Sequence, residues 1–405
     1  MNRPHSPKRI RAKGIALWLA VSLSFGVPIS AIFGQARPAA PSELEKSSGV
    51  GDSPRDVPPL ASDLSPQLTH RDIGKAILKV GDWQLERARP YFSQDWTFAA
   101  LYAGYMAVPD AVAGDRYAAA MKAMGEKFDW ELGPRPFHAD DQAIGQTYLD
   151  LYARYRDPKM LAATRAHMDA MLAASNPESD PDHAGQPLWW WCDALFMAPP
   201  VLAKLSKTTG DEKYLEFMGR QWTITSAKLY EPHEHLYFRD ASFLNKREKN
   251  GRPVFWSRGN GWVMAGLVRS LQTMPREDRR TESKYFIQFR EMAAALAAVQ
   301  GKDGLWRPGL LDPDSYALPE DSGSAFITYA YAFGVNEGIL SRSEYLPRVR
   351  RAWAGLVAHI YADGRLGSMQ PIGAAPGEFT ATSSYVFGVG AFLLAGSEVY
   401  RLAEK

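Results

Sequence analysis

The 405-residue chain has a single cysteine, Cys192, which excludes an intramolecular disulfide and leaves stability to packing. Its eight histidines are scattered, with no HExxH pair and no cysteine partners, so neither a metal nor a cofactor is expected. A GxSxG nucleophile elbow is missing, as are a GxGxxG turn and a phosphate loop ending in Lys-Ser/Thr, which excludes the common serine-hydrolase and nucleotide-binding frameworks. Excess charge of one sign is lacking too. The formal balance is +2, but Arg3, Lys8, Arg9, Arg11 and Lys13 all fall in the first 36 residues, leaving 42 basic against 45 acidic residues beyond them. A near-neutral chain without a basic stripe excludes nucleic acid as a partner. Long apolar runs are scarce. The one near the N-terminus, Ile15 to about Leu23 with a weak extension to Phe33, follows a basic head and precedes Gly34 and Ala36. It reads as a secretory leader over residues 1–36, giving export across the inner membrane to the periplasm. The alternative, an N-terminal membrane anchor, is weakened by Ser22, Ser24, Gly26, Pro28 and Ser30, and no stable membrane partner is expected.

What is abundant is aromatic: 12 Trp and 18 Tyr, whose flat faces suit sugar rings. Residues 37–68, rich in Pro, Ser and Ala, read as a flexible linker, and the folded domain is expected over 69–405. From Thr69 onward, amphipathic helices of ten to twenty residues alternate with short Gly/Pro/Asp breaks, which makes the chain all-α. "LYARYRDPKMLAATRAHMD" and "LAKLSKTTGDEKYLEFMGRQW" repeat one pattern at an offset of 54 residues: a helix end, a turn with Asp157 or Asp211, Lys two residues on, then a new helix. A weaker copy is "LYAGYMAVPDAVAGDRYAAAMKAMGEKFDW". At roughly 50 residues per hairpin the domain holds about six, which suits a closed α/α toroid with a central funnel for a ligand.

Four stretches are over-specified for packing. In "FHADDQAIGQTYLDLY", Asp140 and Asp141 open a helix, where acidic residues also serve as plain caps. In "PLWWWCDALFMAPP", read as a buried helix, Asp193 shares a face with Trp189, Trp190, Phe196 and Met197 while Trp191 lies to one side. An acid among aromatics keeps its proton, as a general acid must, although a structural ion pair would explain the same residue. "HLYFRDASFLNKREKNGRPVFWSRGNGWVMAG" holds a short β excursion around Leu236–Phe238 and then a Gly-rich turn into a helix carrying Arg258, Asn260 and Trp262. Arg258 suits a carboxylate, while the glycines also fit a tightly packed helix start. "GLWRPGLLDPDSYALPEDSGSAFITYAYAFG" is a polar loop opening another helix, and a plain connector would look the same.

Together the last three stretches resemble glycoside hydrolase family 105, the unsaturated rhamnogalacturonyl hydrolases, and more distantly the unsaturated glucuronyl hydrolases. The resemblance runs from about residue 80 to the C-terminus and implies an (α/α)6 barrel. It also implies removal of a terminal 4,5-unsaturated uronic acid from lyase-generated oligosaccharides, by hydration of the C4=C5 bond and not by attack at the anomeric carbon. Unsaturated galacturonyl-rhamnose from rhamnogalacturonan is the substrate this implies. Asp193, in the family's WxD element with Trp191, would be the general acid/base, and Asp140 or Asp141 the second carboxylate; motif spacing favours Asp140, with Asp141 then beside it in substrate binding. Arg258 and Trp262 match the RGNxW element and would contact and stack on the uronate; Arg239 stands where some members carry a His. Two other readings stay open: an unsaturated glucuronyl hydrolase acting on glycosaminoglycan or ulvan-type products, and a non-catalytic carbohydrate-binding toroid. A polysaccharide lyase on a similar toroid is a third.

Overall fold

A computed structural model describes residues 49–174, 179–274 and 283–403; the expected leader and the start of the expected linker lie outside them. Among the described residues, twelve helices of eleven residues or more alternate between an outer and an inner position. The outer ones are α1 (His70–Ala88), α3 (Arg116–Lys127), α5 (Lys159–Leu172), α7 (Lys213–Leu229), α9 (Lys284–Ala298) and α11 (Arg342–Ala358). The inner ones are α2 (Trp96–Ala107), α4 (Gly145–Tyr155), α6 (Pro199–Thr209), α8 (Ser257–Leu271), α10 (Asp321–Asn336) and α12 (Val386–Leu402). Each inner helix packs on the next, and α12 packs on both α10 and α2, so the ring closes as an (α/α)6 barrel.

The sequence dictates which helices lie inside. Every residue of α8 is buried, and α10 and α12 are buried along nearly their whole length, which polar faces would not tolerate. Outer helices bury one stripe only; in α5 it is Met160, Thr164, Met168 and Met171. The repeated turn is local chemistry. Asp157 and Asp211 each accept the backbone N–H of the lysine two residues on, both at 3.1 Å, and each starts an outer helix after an inner one. Glycine lets the inner ring draw tight: a Cβ on Gly104 of α2 would lie 2.6 Å from the Gly390 carbonyl oxygen of α12.

Two expectations change. Residues 49–68, read as linker, are fastened to the barrel. β1 (Gly51–Asp52) pairs antiparallel with Ser384–Tyr385 at the start of α12, the Ser53 hydroxyl meets that of Ser383 at 2.7 Å, and Ala61 donates to the Ile360 carbonyl at 2.8 Å. Their Pro and Ser content reflects an extended strap whose bonds are made by backbone and short polar side chains. The tryptophan-rich stretch is likewise no helix before Ala194. It runs as turns and isolated bridges, and helix begins with the short Ala194–Met197 turn before α6. Its side chains therefore do not follow a helical face.

Candidate active site

The loops that precede the inner helices gather at one end of the barrel, and the candidate residues sit there. Asp140 lies in the short turn Ala139–Gln142, just before α4. Its backbone N–H donates to His138 Nδ1 at 3.3 Å, which leaves the His138 ring proton on Nε2. That ring rests on Trp191, 4.9 Å between centroids, and burial holds its pKa below the ordinary value. Asp141, one residue on, does different work. It accepts the Arg135 backbone N–H at 2.7 Å and is gripped by the Arg135 guanidinium, while its own carbonyl takes the Gly133 N–H at 2.9 Å. Asp141 thus ties the 133–141 loop together, and that ion pair places it as an anchor instead of the substrate contact expected from sequence.

Asp193 stands at the start of the Ala194–Met197 turn. The segment before it is pinned to a neighbouring one: Cys192 donates its N–H to the Arg239 carbonyl at 2.8 Å, and Trp191 bridges Asp240. Cys192 Sγ reaches Asp193 Oδ1 at 3.4 Å, and Arg239 Nε lies 3.5 Å from Oδ2. Gly259, inside the first turn of α8, makes room; a Cβ there would come within 3.2 Å of Cys192 Sγ and 3.6 Å of Asp193 Oδ1. The "WSRGNGW" glycines are accordingly helix residues at close contacts and not a turn.

Electrostatically the two carboxylates form one unit. Burial, and then the charge of Asp193, push Asp140 up to about 7. Burial also raises Asp193, although the nearby Arg239 and Arg258 cations pull the other way. Both side chains still reach the surface, 19% and 12% exposed. Asp140 thus keeps a proton to about neutral pH beside a second carboxylate that burial also favours in its protonated form, and such groups can give a proton to a bound molecule.

Arg258 and Trp262 are placed differently from expectation. The Arg258 side chain is 1% exposed; it donates to the Gln370 and Pro371 carbonyls, both at 2.6 Å, and lies over the Trp256 and Phe387 rings. A long cation at the start of a wholly buried helix satisfies itself on the adjoining loop, so it braces the site floor and does not present its fork to a ligand. Trp262 is packed among Phe326, Phe196 and Trp96 with centroids 4.2, 4.8 and 6.0 Å away, which makes it core. Trp191 touches His138 and Trp190, and Arg239 keeps 20% of its side chain exposed beside Asp193. Sequence reading missed His138, Arg135, Asp240 and Glu320. Glu320 is fully buried, caps α10 through the Ser322 and Gly323 N–H groups, and takes the Gln370 N–H at 3.1 Å. His138 stood in the quoted "FHADDQ"; its signal was position, two residues before Asp140.

An (α/α)6 barrel with paired, proton-retaining carboxylates at its mouth defines a class of carbohydrate-active enzymes. Residues 70–403 match the model of Glycosyl Hydrolase Family 88, and the chain belongs to that family, as a glycoside hydrolase. It is 40% identical over 352 residues to an unsaturated 3S-rhamnoglycuronyl hydrolase of Formosa agariphila, covering 83% of this chain and 93% of that one. An enzyme of the same name from an Alteromonas species is 32% identical over 94% of this chain and 97% of its own. A family 88 structure from Bacteroides vulgatus superposes with a TM-score of 0.76 at 31% identity, covering 82% of this chain and 99% of that one. The likeness to unsaturated uronyl hydrolases read in the sequence holds at the level of family and fold.

Proposed function

We propose that the enzyme releases a terminal 4,5-unsaturated uronate from rhamnose by hydrating the C4=C5 bond. The observation that carries this reading is a pair of buried carboxylates, Asp140 pushed up to about 7 by burial and the Asp193 charge, and Asp193 itself raised by burial. An unsaturated uronate is an enol ether, so protonation at C4 leaves positive charge on C5 and the ring oxygen. Asp193 supplies that proton, and Asp140, kept protonated to about pH 7 by burial and the Asp193 charge, restores it. Water then bonds to C5, losing a proton to the pair, and the hemiketal opens with cleavage of the bond between C5 and the ring oxygen. The open form carries a hemiacetal at C1, which expels the linked sugar. No glycosyl-enzyme intermediate is formed, in contrast to retaining glycosidases.

Elimination across C4 and C5 erases the one stereocentre at which galacturonate and glucuronate differ, so the unsaturated residue is the same from either. Selectivity must then lie in the linked sugar. The product of rhamnogalacturonan supplies a bare rhamnose there. A second reading, in which that rhamnose carries a 3-sulfate, is favoured by the names of both relatives, whose "3S" we read as that group. The test is a panel of unsaturated disaccharides linked to rhamnose, 3-sulfated rhamnose or a hexosamine, following the absorbance of the conjugated double bond. Loss of absorbance with a rhamnose-linked member is expected; consumption of the hexosamine-linked one alone overturns the reading. Export to the periplasm, resting on the leader-like residues 1–36, would place the enzyme where imported oligosaccharides arrive.

A further inference from the structure

Asp193 has a cation beside it, in an ion pair that no hydrogen bond closes. A guanidinium normally grips a carboxylate with two parallel N–H groups. Here Arg239 approaches Asp193 through Nε, 3.5 Å from Oδ2, without a hydrogen bond between them, and that buried Nε has no hydrogen-bond partner. Its Nη1 is taken by Asp240 Oδ2 at 2.8 Å. Asp240 is itself fixed: Oδ1 accepts the Ser242 N–H at 2.8 Å, and its backbone bridges Trp191, two residues before Asp193. The guanidinium also lies over the Trp190 ring, 5.5 Å from its centroid, which limits its swing.

We propose that Asp240 is a positioning residue that holds the Arg239 fork away from Asp193, so that Asp193 can carry and deliver the proton. Were the fork free, it would close on Asp193 and keep it ionised, and an ionised carboxylate cannot protonate C4. The inference rests on the hydration reading. It gives a physical role to a residue bound to Arg239, Ser242 and Trp191. The other charged or titratable groups facing Asp193 are Cys192 from its own segment, Asp140 from the turn before α4 and Arg258 from α8; Arg135 and Asp141 act on Asp140 from behind. None of these holds Arg239 at hydrogen-bond distance, so among the described residues Asp240 is the charged group that fixes its orientation, over the Trp190 ring.

The test is the pH profile of kcat on an unsaturated disaccharide that the wild type consumes, so that failure of the hydration reading would show first as an inactive wild type. Asp240→Asn keeps the acceptor for the Ser242 N–H and removes the charge. Its alkaline limb is expected to move down by about one pH unit or more, the span an adjacent cation imposes on a carboxylate. Activity at the acid end stays within a few-fold of wild type. Asp240→Glu restores the wild-type limb, and Arg239→Gln, which removes the cation altogether, moves it the opposite way. A uniform loss at every pH in Asp240→Asn, or an unmoved limb in Arg239→Gln, overturns the proposal. The Arg239→Gln arm decides the matter if Asp240→Asn fails to fold.

Discussion

Asp140 and Asp141 are adjacent, chemically identical and set to opposite tasks by what surrounds them. Asp141 meets a guanidinium and is spent on holding a loop, while Asp140 meets burial and a second carboxylate and keeps a proton to about pH 7. Asp193→Asn should therefore lower kcat by roughly two to four orders of magnitude, the usual range for a general acid, with an unchanged melting temperature. The wild type should lose kcat/KM on the alkaline side, because the acid must be protonated to act, and burial raises the titration of Asp193 above that of a free carboxyl. In Asp140→Asn the proton on which Asp193 draws is gone, and kcat should fall by roughly two orders of magnitude; stopped assays across pH check the three activities. At this scale the sequence was legible where a residue's chemistry is rare in its setting, as for Asp193 among tryptophans. It misled for Arg258 and Trp262, since an Arg can satisfy itself on backbone carbonyls and nothing in "RGNGW" says whether the cation looks outward or down.

Helices were legible because periodicity and turn chemistry are local. Thr69 caps α1, with its side chain accepting the Asp72 N–H at 3.1 Å, at the position from which the domain was expected to start. The tryptophan stretch was not legible, because an apolar run in a loop packed under a rim has the same composition as a buried helix. Glycines of inner and outer helices also look alike on paper, and packing separates them. Gly104→Ala would drive a methyl into the Gly390 carbonyl of α12 and should destabilise by about 1–3 kcal/mol, the usual cost of overpacking. Gly74→Ala on α1 meets only Val112 at 3.7 Å and should be neutral, or stabilise by up to about 1 kcal/mol from helix propensity. Urea unfolding of the two variants measures the contrast, and equal destabilisation would sink the close-packed inner ring as its cause.

For the whole molecule, repeat length alone pointed to six hairpins and hence to a ring, because a helix hairpin cannot bury both faces without neighbours on each side. The closure of α12 onto α2 completes that logic. What composition hid was the strap before α1, since an extended segment that borrows its bonds from loops on the barrel shows no periodicity of its own. A ring of this kind offers a funnel and a set of loops, and many reactions fit such a frame. Hydration is the proposed reaction on this frame, and isotopes read it out. With an unsaturated uronyl-rhamnose turned over briefly in oxygen-18 water and quenched by borohydride, hydration places the label on C5 of the uronate and leaves the old ring oxygen on C1. Label on C1, with the ring oxygen retained at C5, would mean direct cleavage of the glycosidic bond and would contradict the proposed function.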